Sequence, residues 1–82
     1  MEKNMERLME IAQKELRNRL PEDKFADDWI WGETGFSFVI CSYNEQNHNI
    51  TEHDSYTFYY DEDEEFFGSA EEQLDYWLNR QF

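Results

Sequence analysis

Eighty-two residues carry twenty acids, seven Lys or Arg and a formal charge of −13, which reads as one small acidic domain spanning 1–82 with a thin core and little space for a deep pocket. A single cysteine, Cys41, excludes an internal disulfide, so a reducing cytoplasm is the expected compartment. No apolar run reaches the roughly 20 residues of a membrane span, the charge opposes contact with anionic lipid, and charges recurring from Glu2 to Arg19 exclude a secretory signal there.

Residues 2–20 read as an amphipathic helix. Met5, Leu8, Met9, Ala12, Leu16 and Leu20 fall on one face. Glu10–Lys14 and Glu15–Arg19 are i, i+4 pairs in the favourable order, and Pro21 supplies the stop. Asp28 to Trp31 alternates with period two and predicts a first strand. Gly32-Glu33-Thr34-Gly35 predicts a turn, with two glycines able to take positive φ. Phe36 to Tyr43 predicts a central strand, with Phe36, Phe38 and Ile40 on one face and Ser37, Val39, Cys41 and Tyr43 on the other. Asn44 to Asp54 is polar and asparagine-rich and predicts a loop. Ser55 to Tyr60 predicts a third strand, ended by the acidic run Asp61 to Glu65. Ser69-Ala70-Glu71-Glu72 fits a capping box opening a second helix, with Ala70, Leu74, Trp77 and Leu78 as its buried stripe. The expected fold is α+β, ordered α-β-β-β-α: a three-stranded antiparallel sheet with two helices on one face.

Charge is unevenly placed along the chain. Residues 1–24 hold six acids and six bases, whereas residues 25–79 hold fourteen acids and no Lys or Arg. Same-sign carboxylates repel, and a basic partner surface is a reason to retain that repulsion, through steering and complementarity. All fifteen aromatics lie from Phe25 onward, interleaved with the acids. Some serve the core; Tyr and Trp also anchor interfaces and stack on arginine. The expected partner-binding residues are Asp27, Asp28, Trp29, Tyr43, Tyr59, Asp61, Glu62, Asp63, Glu64 and Glu65.

No catalytic, metal or cofactor site is expected. From Asp61, acids at positions 1, 3, 5 and 12 match a calcium loop, but Phe66 stands where the glycine of its sharp turn belongs. His48 and His53 read as solvated loop histidines, since a structural zinc needs about four ligands. Cys41 reads as a small buried hydrophobe. Carboxylate pairs are too common here for one to be singled out as acid and base, so the chain is not expected to be an enzyme. Direct nucleic-acid binding is disfavoured because phosphate contacts need bases. The reverse relation fits: fourteen carboxylates match the charge of about seven base pairs.

In size, charge and element order, and in the stretch Tyr59-Tyr60-Asp61-Glu62-Asp63-Glu64-Glu65-Phe66-Phe67, the chain resembles small acidic phage proteins that inhibit host defence nucleases, anti-CRISPR proteins among them. The stretch covers nine positions and carries over no functional residue. The resemblance implies mimicry of nucleic acid at the basic groove of a nucleic-acid-binding protein complex, in the host cytoplasm. The alternative expectation is a bacterial immunity or accessory protein that binds a basic toxin or other cytosolic partner. Self-association as a homodimer is the other use left open for the free sheet face.

Overall fold

Asn4 starts the first helix: its Oδ1 accepts from the Arg7 backbone N–H at 3.1 Å, which satisfies one of the donors a helix start leaves open. The computed structural model describes residues 4–61 and 69–82, and its order is α1 (Met5–Arg19), β1 (Lys24–Trp31), β2 (Gly35–Asn44), β3 (Asn49–Tyr59) and α2 (Ala70–Gln81). The strands form one antiparallel sheet in the order β1-β2-β3. The expected α-β-β-β-α fold is therefore the observed one.

Both helices cover the same face of that sheet. Met5, Leu8, Ala12 and Leu16 from α1 and Ala70, Leu74 and Leu78 from α2 share one buried cluster with Phe36, Phe38, Ile40 and Phe58. Rings fill the space between. Trp29 stacks on Phe38 at 4.5 Å, and Trp77 stands edge-on to Phe58 at 5.5 Å. Such pairs contribute about 0.5–1.5 kcal/mol each beyond their burial. Arg7 reaches Glu71 at 3.1 Å and Arg19 reaches Asp75 at 4.0 Å, so bases of α1 meet acids of α2.

The strand boundaries differ from the sequence expectation in two places, each with a bulge. β1 begins at Lys24 rather than Asp28, because Phe25 and Ala26 already pair with Cys41 and Ile40. Its register then shifts between Asp27 and Ile30, and Asp28 takes φ 55, a conformation aspartate tolerates better than most residues. The extra residue changes the phase of the strand, which hides its period from a sequence reading. β3 begins at Asn49, so most of the stretch expected as a loop is strand; the connection is the four residues 45–48. Asn44 and Asn47 accept backbone N–H bonds from Gln46 and Asn49 at 2.9 and 3.0 Å, shaping the turn with side chains. Asn49 to Ser55 are all exposed, so no apolar alternation marks them. The register shift between Ile40 and Cys41 leaves His53 as the unpaired residue of β3.

Neither end of the first hairpin turn uses a positive-φ glycine. Gly35 is required for a different reason: a Cβ there would collide with the Phe58 carbonyl and meet the Tyr59 Cα at 3.3 Å. Gly35→Ala is expected to cost about 1–3 kcal/mol, toward the upper end because the neighbours are backbone; a denaturant midpoint with unchanged slope would measure it.

Gln73, on α2, is the buried polar residue of the core, and its side chain holds the end of the sheet. Its Oε1 accepts from the Asp61 backbone N–H at 2.8 Å, and its Nε2 donates to the Asp61 carbonyl at 3.1 Å. One amide thus pairs with both backbone groups of one residue, as a further strand would. Gln73→Leu is expected to destabilise by about 1–3 kcal/mol, since it strips both partners from a part-buried peptide. Gln73→Glu, which keeps only the acceptor, should lie between; thermal melts of the three proteins check the order.

Candidate functional site: the open sheet face

With both helices on one side, the opposite side of the sheet is left to solvent. Alternation and register place Ser37, Val39, Cys41 and Tyr43 of β2 on that face. From β1 come Phe25, Asp27 and Ile30, and from β3 come Ile50, Glu52, Ser55, Thr57 and Tyr59. Ile30, Ile50 and Tyr59 are 68%, 57% and 71% exposed. The two isoleucines lie on this face opposite Ser37 and Tyr43, about 20 Å apart along β2.

The expected site residues separate in space. Asp27 and Asp28 are exposed at the β1 bulge. Trp29, expected at the partner surface, is turned the other way. The bulge moves it to the helix side, where it stacks on Phe38 and its Nε1 donates to the Ala26 carbonyl at 3.3 Å. Tyr43 stands on the open face, its hydroxyl sharing a 2.8 Å hydrogen bond with His48 Nδ1. Tyr59 pairs with Gly35 at the other end of the sheet; eight residues of β2 separate the two tyrosines, about 26 Å along the strand. Asp61 follows β3, its backbone gripped by Gln73. Glu62, Asp63, Glu64 and Glu65 lie outside the described residues.

Sequence reasoning missed Ile30, Ile50 and Glu52. Ile50 and Glu52 sat in the stretch read as a loop, where no apolar alternation marks a strand; only their pairing with Tyr43 and Cys41 reveals it.

The electrostatics divide along the same line. Among the described residues, Asp27, Asp28, Glu33, Glu45, Glu52 and Asp54 are exposed and make no ion pair. The acids Glu71 and Asp75 of α2 are met by α1. Among the described residues, unpaired carboxylates therefore stand on the sheet and its turns, and on α2 at Glu72. β2 and β3 also project beyond the helices as an arm, in a molecule measuring 48 × 21 × 17 Å. Among the described residues no helix is long and apolar enough to cross a membrane.

Among the described residues no group of three His, Cys, Asp or Glu is placed to hold a metal ion. Ser42 Oγ and His53 Nε2 lie 2.8 Å apart, the spacing of a nucleophile and its base. The pair sits on the exposed arm, and among the described residues no carboxylate hydrogen-bonds the other ring nitrogen to orient it. Cys41 is buried outside the main core, opposite Phe25 and Glu52. Burial pushes its thiol above the ordinary range, and Glu52, Asp27 and Asp28 add to that in turn.

No protein-family model, curated protein or solved structure matches the chain significantly. What the fold and the site define is a class: an α+β domain with one packed and one open sheet face, the open one acidic and partly apolar.

The thiol carries two expectations. At pH 8 native Cys41 should react with iodoacetamide about tenfold or more slowly than the unfolded chain, because thiolate and access are both scarce. A raised folded pKa also means that the folded state keeps its proton longer. That contribution to stability is complete below the unfolded value of about 8.5 and is lost as pH rises toward the folded value. Cys41→Ala should accordingly lose less stability than the parent between neutral and alkaline pH, measured by denaturant unfolding.

Proposed function

We propose that this is a non-catalytic binding protein that docks its open sheet face on a basic protein surface, as an inhibitor occupying the nucleic-acid groove of a host defence nuclease complex. One observation carries the reading: Asp27 and Glu52 share the open face with exposed Ile30, Tyr43 and Ile50, Asp28 and Asp54 stand beside it at the two strand bulges, and there is no Lys or Arg between residues 25 and 79. Carboxylates in that arrangement raise the association rate with a cationic groove and reject anionic competitors. Tyrosines and aliphatics supply the desolvated contacts that hold the complex once formed. The resemblance to phage inhibitors of defence nucleases agrees in charge and element order.

The exposed isoleucines favour a second reading. Nothing in a phosphate backbone corresponds to Ile30 or Ile50, whereas an immunity protein clasping a basic toxin uses such side chains at the centre of its interface. Self-association through the same face competes with both, and the repulsion between two copies at −13 opposes it.

The discriminating experiment uses immobilised protein and nuclease-treated host lysate at two salt concentrations, followed by elution with duplex DNA or RNA. The groove reading expects partners that nucleic acid displaces. It also expects D27N/D28N/E52Q/D54N to bind about tenfold or more weakly, with a flatter salt dependence. Partners that nucleic acid leaves in place, and that Ile30→Ser/Ile50→Ser releases, would support the immunity reading instead. Binding unchanged in both variants, with the fold intact, removes this face from the interface.

A further inference from the structure

The cations of this protein are few, and half of the six described ones are committed. Among the described residues Arg7 meets Glu71, Arg19 meets Glu15 and Asp75, and Arg80 lies over the Tyr76 ring at 5.8 Å. Lys14, Arg17 and Lys24 make no ion pair among the described residues. Two of these three, Arg17 and Lys24, stand on one cleft, formed where the end of α1 passes over the start of β1. In a chain with nearly three acids for each base, two unpaired cations at one mouth are an arrangement that needs an explanation.

The cleft has a volume of about 490 Å³, within the roughly 300–1,000 Å³ of small-ligand sites. Its walls are apolar: Leu16 at the floor, then Leu20, Phe25 and Trp29. The Trp29 Nε1 is already bonded to the Ala26 carbonyl. Polar recognition is left to Arg17, Lys24 and Gln13, with the Glu22 carboxylate on the same lining opposing part of the positive charge. One acid against two bases leaves a single net positive charge. That suits a monoanion better than a phosphate dianion, which the −13 field of the whole molecule also repels.

The geometry points to a second binding site, distinct from the sheet face: a cleft for a small amphipathic carboxylate, with an alkyl or aryl body against Leu16, Leu20, Phe25 and Trp29 and its carboxylate between Arg17 and Lys24. Concavity favours a free small molecule over a partner's helix or strand. The guanidinium of Arg17 offers paired donors of the shape a carboxylate accepts. Only Phe25, on the edge strand β1, belongs to both the cleft and the open face; none of the residues varied to test the partner-binding proposal lines the cleft, so the two are tested independently.

Decanoate, decanol and decyltrimethylammonium, titrated below their aggregation concentrations into the full ¹⁵N-labelled chain, test this directly. Decanoate should bind saturably and shift the Trp29 indole N–H together with the Leu16 and Leu20 amides. Decanol should bind about tenfold or more weakly, as expected when a charge-assisted hydrogen bond is absent. Arg17→Gln/Lys24→Gln should weaken decanoate to the level of the alcohol, and Glu22→Gln should tighten it. All three positions are exposed, so melting temperatures close to the parent's would show that the fold survives. Saturable decanoate binding that is lost in the double variant supports the site. No saturable shift, equal binding of the ammonium compound, or a double variant that binds like the parent overturns it.

Discussion

Phe38 is the point on which the packing converges. Five rings surround it: Trp29 at 4.5 Å, Tyr56 at 5.7 Å, Trp77 and Phe82 at 6.1 Å, and Phe36 at 6.3 Å. Those rings come from all three strands and from the C-terminal helix with its cap. A chain of this size cannot build a thick aliphatic core, so large rings at the centre of a sheet give the most burial per residue. Reaching Phe38 from β1 requires Trp29 to face the helices while Asp27 faces away. The bulge at Asp28 is what makes both true.

That one-sided packing sets what the rest of the molecule can do. Two helices cover one face, and among the described residues no third layer covers the other. The open face must then be tolerated in water, and its mixture of acids, hydroxyls and a few exposed apolar residues does so. The sheet's edges are blunted as well. β1 is interrupted by its bulge, and β3 carries a bulge at His53 flanked by Glu52 and Asp54. Bulges and charges of this kind discourage strand-to-strand pairing between copies.

Electrostatics follow the same division. The bases of α1 are drawn toward α2 by Glu71 and Asp75, which stitches the helical layer together across its surface. Exposed pairs of this sort contribute little individually, but they leave the sheet without a compensating cation. An imbalance that runs along the chain becomes an imbalance across the molecule. The exception is the cleft at the junction of α1 and β1, where Arg17 and Lys24 remain unpaired beside apolar walls.

The residues of the sequence were enough to determine the helices, the central strand and the face they share, because each depends on a local period. Met5 through Leu20 and Ala70 through Leu78 repeat at helical spacing, the second behind a capping box at Ser69, and Phe36, Phe38 and Ile40 alternate without interruption. The acidity of the second half was equally legible, since charge is a sum over residues. What only the tertiary structure decided depends on a partner strand. Trp29 belongs to the core because Asp28 adds one residue opposite Phe38, and a bulge has no period to read. Asn49 to Asp54 is strand because β2 pairs with it, although both its faces meet water and no hydrophobic pattern records that. The grouping of Ile30, Ile50 and Glu52 on one surface, and of Arg17 and Lys24 on one cleft, likewise arises from strand register and from the packing of α1 over β1, which bring together residues that are far apart or out of phase along the chain.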